Sequence, residues 1–307
     1  MSDLVAVDGI HGSAPRWSVA IPVKDGGSRL VELVRALAAQ QVEGDVEVLL
    51  ADSGSKDGAV EEAARVHSGA RRFVVPEGRF GHGRTRRAMV AAARGEAVAF
   101  FSQDAVPKGA DTLALLVQAL QVPGAVGAWA RQVPRPGADP LVAARLRRWT
   151  PEGVGVQLQE AGPTVWAAAG PEERLRLARY DHVCAMAPKW ALLQSPLPDR
   201  DFGEDLVWAA AQIRAGRRIV YVPEAVVEHH HDPSVMEGFL RNRLAHRQVA
   251  SEFGFVAVPS LAAALAALCT GFPGDLRDGG WAWACRGLPR RSGELLGQWA
   301  GARDARR

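Results

Sequence analysis

Residues 17–54 read WSVAIPVKDGGSRLVELVRALAAQQVEGDVEVLLADSG, and their alternation of apolar runs and a helical stripe decides the fold. Trp17 to Val23 is apolar almost throughout with Pro22 near its end, the pattern of a strand buried on both faces. Ser28 is placed as an N-cap. From Arg29 to Gln41, Leu30, Leu33, Val34, Leu37 and Ala38 fall on one side of a helix. Val46 to Ala51 is a second buried strand, broken by the turn residues Asp52-Ser53-Gly54-Ser55-Lys56-Asp57-Gly58. Strand, helix, strand with short connections is a parallel β-α-β unit.

The same rhythm continues outward. A helix is expected from Ala59 to His67, a short strand from Phe73 to Val75, an alanine-rich helix after Gly78, Gly81 and Gly83, and a fourth strand from Ala97 to Phe101. The result is a doubly wound, mostly parallel α/β sheet with helices on both faces, which binds ligands outside the carboxyl ends of its strands. Those ends are polar here: Lys24-Asp25, Asp52 and Ser102-Gln103-Asp104. Beyond Gly109 the pattern gives a helix to Gln121, a strand near Val126 to Gln132, a Pro- and Gly-rich passage to Gly170, and a mixed region to His231. The division this implies is an N-terminal extension (1–16), an α/β domain (17–254, with halves 17–104 and 105–254), and a helical, Arg-rich appendage (255–307).

With 307 residues and 48% hydrophobic side chains, the chain can bury a large core without staples. A net charge of +3 suits a phosphate-bearing ligand but is too mild for nucleic acid. Cys184, Cys269 and Cys285 have neither CxxC spacing nor an even count, so a disulfide framework and a zinc ribbon are both disfavoured. No basic leader precedes an apolar run, and no stretch reaches the ~20 apolar residues of a spanning helix, so the expectation is a cytoplasmic protein.

Several positions carry candidate chemistry. Asp104 follows Phe100-Phe101 at a strand end, where one carboxylate can hold Mg²⁺ or Mn²⁺ alongside substrate phosphates; the plain alternative is a turn cap before Pro107. Asp52 and Asp57 sit where a carboxylate meets a base or ribose, although Asp57 also fits as the N-cap of the next helix. Phe80-Gly81-His82-Gly83-Arg84-Thr85-Arg86-Arg87 opens a helix with two glycines and three arginines, a setting that favours a diphosphate. Glu204-Asp205 opens an amphipathic helix; neighbours on a helix diverge by about 100°, so one carboxylate can enter a cleft as a general base while the other points elsewhere. Glu228-His229-His230-His231-Asp232 follows a strand, and His229 and His231 share a side if the strand continues.

The ordered pieces WSVAIPVKDGG, VLLADSGSKDGA, RFGHGRTRRAM, VAFFSQDAVP, DRDFGEDLVWAAAQIRAG and YVPEAVVEHHHDPS, spanning about two thirds of the chain, resemble the family 2 glycosyltransferases of GT-A fold, in particular the rhamnosyltransferase-like branch. The resemblance implies an inverting, metal-dependent transfer of a sugar, rhamnose favoured, from a nucleotide-diphosphate donor (dTDP-rhamnose or a UDP-sugar) to a glycan or lipid-linked acceptor in cell-surface polysaccharide synthesis. It implies donor contacts at Pro22, Asp52, Asp57, His82, Arg86, Gln103 and Asp104. It further implies Mn²⁺ or Mg²⁺ at Asp104, His229 and His231, and a general base at Asp205, with Glu204 the second candidate. Ser102 stands where many relatives carry a first aspartate, and Gly81 and Arg87 stand where they often carry asparagines.

A nicotinamide oxidoreductase would need GxGxxG after the first strand, where this chain has Lys24-Asp25-Gly26-Gly27. A sugar-nucleotide pyrophosphorylase would carry a glycine-rich loop with an arginine there. A non-catalytic sugar-nucleotide-binding homologue is the remaining alternative, and the intact Glu204-Asp205 pair argues against it. In the tail, Leu261, Leu265, Leu268 and Phe272, with Trp281, Trp283 and Trp299 among Arg286, Arg290 and Arg291, have the composition of a peripheral contact with an anionic membrane; burial against the rest of the chain is the other role open to them.

Overall fold

The structure is a computed structural model that describes residues 3–8, 14–229 and 233–306. Its first half runs β1 (Val5–Ala6), β2 (Trp17–Val23), α1 (Gly27–Ala38), β3 (Val46–Asp52), α2 (Ala59–Val66), β4 (Ala70–Val74), α3 (His82–Ala92), β5 (Ala97–Phe101), β6 (Val106–Pro107), α4 (Thr112–Ala119) and β7 (Ala125–Val133). The second half runs α5 (Pro140–Trp149), β8 (Gln157–Gln159), α6 (Pro163–Ala168), α7 (Pro171–Leu177), β9 (Cys184–Pro188), α8 (Lys189–Gln194), α9 (Glu204–Arg214), β10 (Arg218–Glu228), α10 (Val235–Phe253) and α11 (Leu261–Asp304). Two compact units emerge from the contacts: Met1–Gln132 with Thr150–Ala167 and Leu177–His229, and Val133–Trp149 with Ala168–Arg176 and His230–Arg307.

The first unit is built on a sheet of order β1-β4-β3-β2-β5-β9-β7-β10-β6, with β8 on β10. Its centre, β4-β3-β2-β5, is parallel, as β-α-β winding requires. Beyond β5 the sheet turns antiparallel: β9 pairs with β5 (Phe101↔Cys184) and β10 with β6 (Glu228↔Val106). Alternate side chains explain the double burial. Val19, Ile21, Val48, Leu50, Ala99 and Phe101 join Leu30, Leu33, Val34 and Leu37 of α1 in one cluster, while the intervening Ala20, Leu49 and Phe100 are equally inaccessible. At the amino ends of these strands, buried Glu47 accepts from Ser18 Oγ (2.7 Å), Arg94 N (2.6 Å), Arg94 Nε (3.0 Å) and Arg71 Nη1 (3.0 Å). Burial alone would raise that carboxyl, but the hydrogen bonds hold it below its ordinary value.

Element boundaries moved where local chemistry differs from the sequence expectation. Helix α1 starts at Gly27 rather than after a Ser28 cap, because Gly26 occupies the cap position without a side-chain hydrogen bond. Helix α2 is capped by Gly58 at φ 74° and not by Asp57, since a left-handed cap residue favours glycine. The third strand begins at Ala70 instead of Phe73, carried by its pairing with β3. Within the stretch expected to be a helical appendage (255–307), α11 runs from Leu261 to Asp304, with a non-helical break at Gly280 and Pro273 and Pro289 inside.

The second unit is helical and is held by close backbone approach and ion pairs. Gly293, Gly297 and Gly301 line one side of α11, and a Cβ at each would land on the carbonyl oxygens of Val235, Phe239 and Arg243 in α10. Arg145–Glu294, Arg290–Asp139, Arg291–Asp275 and Arg148–Asp278 link α5 and its leading turn to α11, or join turns of α11. No helix among the described residues is long and apolar enough to cross a membrane.

Candidate active site

At the carboxyl ends of the parallel strands, two loops are laced into a rim. Asp25 takes a left-handed φ of 45°, a conformation that aspartate tolerates better than most residues. Its N–H donates to Ser55 Oγ (2.9 Å), and its carboxylate accepts from Lys56 N (2.8 Å). Lys24 Nζ reaches the carbonyls of Ser53 (3.4 Å) and Gly54 (2.5 Å). Asp57 accepts from Gly27 N (2.7 Å) and Ala59 N (3.2 Å), which lowers its carboxyl pKa. It therefore ties the start of α1 to the start of α2. Asp52 Oδ1 takes Gly54 N, Ser55 N and Ser55 Oγ within 3.1 Å, and no hydrogen bond among the described residues uses its Oδ2. Pro22 lies one residue before the end of β2. The Gln103 amide bonds Lys24 in both directions, accepting from its N–H (2.8 Å) and donating to its C=O (2.9 Å). Gln103 thus shapes the rim.

Asp104 and His229 come together as the sequence expects. The antiparallel β6–β10 register sets Glu228 opposite Val106, so one further step brings His229 level with Ala105. His229 Nε2 lies 3.6 Å from Asp104 Oδ1. Its Nδ1 is 2.9 Å from Gln132 Oε1, and Gln132 Nε2 donates to Asp181 Oδ2 at 2.7 Å. Because the amide nitrogen must face the carboxylate, Oε1 accepts, which assigns a proton to Nδ1 of His229. Nε2 faces the Asp104 carboxylate, a gap that a second proton or a bound cation can fill. An imidazole oriented from behind and facing a carboxylate is a donor set that suits a divalent cation. His231, expected to share this role, lies outside the described residues.

The phosphate-loop arginines have commitments of their own. Arg84 pairs with Asp199 (3.1 Å). Arg86 is buried and donates to Glu204 Oε1 at 2.5 Å. His82 Nδ1 lies 3.4 Å from Arg86 Nη1. Gly83 lets α3 approach the loop before α9: its N–H donates to Arg200 O (3.0 Å), and a Cβ there would overlap the Pro198 carbonyl.

Glu204 and Asp205 open α9 behind Gly203, which caps it at φ 72°. They diverge as a helix demands: Glu204 is buried, while Asp205 keeps partial exposure. Burial would raise the Glu204 carboxyl, but the charge of Arg86 and the hydrogen bond from His182 override it and hold it far below its ordinary value. Asp205 moves the other way, raised by burial and then by the Glu204 charge. Its Oδ1 accepts from Leu206 N (2.8 Å) and its Oδ2 from His182 N (3.1 Å). Neighbouring carboxylates with oppositely displaced titration divide their roles, the raised one being the better proton acceptor. His182, Glu204 and Asp205 also place one ligand atom each within 4.8 Å of one another, but Arg86 already supplies the positive charge there.

Two residues at this site escaped the sequence reading: Asp181, which orients His229 through Gln132, and His182, which touches both carboxylates. Their only signal was polar character just before the apolar run that became β9.

Comparisons with known proteins place the chain in a family. The chain is 27% identical over 229 residues to the O-antigen chain rhamnosyltransferase RfbN of Salmonella typhimurium, covering 73% of this chain and 69% of that protein. Its fold matches the mannosyltransferase PcManGT from Pyrobaculum calidifontis, solved with GDP-Man and Mn²⁺, at a TM-score of 0.62, with 18% identity over 95% of this chain and 87% of that one. It also matches glucosyl-3-phosphoglycerate synthase from Mycobacterium tuberculosis, solved with Mn²⁺, UDP and glucosyl-3-phosphoglycerate, at 0.55, with 21% identity and coverage of 78% and 81%. The sequence pattern of the family described as "Glycosyl transferase family 2" matches residues 18–194, more than half of the 307, so this protein belongs to glycosyl transferase family 2, with a GT-A fold.

Proposed function

We propose that this protein is an inverting glycosyltransferase that moves a sugar, rhamnose by preference, from a nucleotide-diphosphate donor to a hydroxyl of a glycan or lipid-linked acceptor in cell-surface polysaccharide synthesis. The observation that carries the reading is Asp205, a partly exposed residue whose carboxyl is raised by burial and by the charge of the buried, ion-paired Glu204 beside it. Asp205 accepts the acceptor hydroxyl proton; the freed oxygen forms the new bond to the anomeric carbon as the bond to the diphosphate oxygen breaks, and attack from the far face inverts the centre. Asp104 and His229 would hold Mn²⁺ or Mg²⁺, which would supply positive charge to offset that of a departing diphosphate. Asp52 Oδ2 meets the ribose or base, Pro22 and His82 border the donor, Asp57 and Gln103 act by shaping the rim, and Arg86 acts by pairing with Glu204.

The test is sugar-nucleotide turnover with Mn²⁺, dTDP-rhamnose first in a panel of donors. Asp205→Asn should lose about 10²- to 10⁴-fold in kcat while donor still raises its melting temperature. A wild type that binds donor and never turns it over would mark a non-catalytic homologue.

We further propose a cytoplasmic protein resting on the inner membrane face, supported by the exposed Leu261, Leu265, Trp281 and Trp283, with Arg286 over the Trp283 ring at 5.9 Å. Flotation with anionic liposomes should weaken in a Leu261→Asp/Leu265→Asp/Trp281→Ser variant, and unchanged flotation would remove this contact.

A further inference from the structure

His182 stands between the two carboxylates of the acid pair. The β5–β9 register, Phe101↔Cys184, is extended by Ser102 N–H donating to Val183 O at 3.0 Å. The next residue, His182, is thereby drawn inside the strand ends and is 2% exposed. Its ring lies over Phe100 (centroids 4.2 Å, planes at 37°) and edge-on to Tyr180 (5.4 Å, 78°). Nδ1 is 3.4 Å from Glu204 Oε1, the oxygen that also receives Arg86, and the backbone N–H donates to Asp205 Oδ2 at 3.1 Å. Nε2 is buried with no hydrogen-bond partner.

These contacts fix the ring's state. Glu204 only accepts, so Nδ1 carries the proton. A proton on Nε2 would be a buried donor with nothing to receive it, and costly if charged. The ring adds a hydrogen bond to Glu204. It holds the first turn of α9 against the start of β9 while the amide of the same residue fixes one Asp205 oxygen.

Resting on the transferase reading above, we propose that His182 is a positioning residue for the Asp205 base, acting through Glu204 to set where and how the base meets the acceptor hydroxyl. His182→Phe keeps the stack on Phe100 and removes the donor; His182→Asn returns an N–H near the Nδ1 position. With dTDP-rhamnose and Mn²⁺, His182→Phe should lose about tenfold to a hundredfold in kcat with donor KM within about twofold, and His182→Asn should recover to within about threefold of wild type. A His182→Phe kcat close to wild type, an equal loss in His182→Asn, or a change confined to donor KM would overturn the assignment. A second arm needs no substrate: two-bond ¹H–¹⁵N spectra of histidine-labelled protein, with His182 assigned by its disappearance in His182→Asn, should show His182 protonated at Nδ1 at neutral pH. A ring bare at Nδ1 would refute the proposal. A wild type silent toward every sugar nucleotide would count against the transferase reading instead, leaving the tautomer spectrum to decide on His182.

Discussion

Removing Arg86 isolates the term that holds the acid pair together. Its side chain and that of Glu204 are 8% and 4% exposed and meet at 2.5 Å. Arg86→Met leaves a carboxylate buried with His182 Nδ1, 3.4 Å away, as its remaining side-chain donor. Breaking one side of a buried pair costs about 3–5 kcal/mol, which lowers the melting temperature by roughly 6–20 °C. The pH dependence identifies the cause. In the wild type, Glu204 titrates far below its ordinary 4.5, so its stabilisation is present above that value and lost as pH falls toward the folded pKa. In Arg86→Met, burial acts without the compensating charge and the folded pKa rises, so the deficit is largest near neutral pH and shrinks as acid protonates Glu204. The double variant Arg86→Met/Glu204→Gln removes both charges and should recover most of the stability. Urea melts from neutral pH down to about pH 4 provide the measurement. A deficit independent of pH, or a double variant no better than Arg86→Met, would refute the electrostatic account.

Other consequences are equally open to measurement. The acid limb of kcat/KM should lie above the ordinary Asp value of 3.8, because Asp205 must be deprotonated to act and its carboxyl is raised; Glu204→Gln should shift that limb to lower pH by removing the second cause. Gln132→Leu unties Nδ1 of His229 and should weaken Mn²⁺ binding about 10- to 100-fold, read by titration calorimetry. Gly297→Ala should destabilise the protein despite a helix-propensity gain of about 1 kcal/mol, because its Cβ meets the Phe239 carbonyl. Gly274→Ala, in the same helix with open space around it, should raise the melting temperature.

The parallel half of the fold was readable because each element there has its own period. Trp17–Val23 and Val46–Asp52 are buried on both faces and read as continuous apolar runs, and α1 shows one clean stripe. The antiparallel half was less legible: β8, β9 and α5 to α8 are short, and their positions depend on pairing with distant strands. At the site, Asp104 and His229, drawn from separate motifs, lie 3.6 Å apart, and Glu204 and Asp205 open α9. The roles of Arg86 and Gln103 did not follow in the same way. A guanidinium in a glycine-rich loop reads as a phosphate ligand, and only the tertiary approach of α3 to α9 shows that it meets Glu204. Asp181 and His182 stayed hidden because their partners lie 49 and 23 residues away.

Their adjacency has an evolutionary consequence. One residue reaches the imidazole beside Asp104 through Gln132 and the next touches both Glu204 and Asp205, so the spacing of these two clusters is written into two successive peptide units at the head of β9. Inserting or deleting a single residue between Tyr180 and Cys184 would exchange the faces of both supports together.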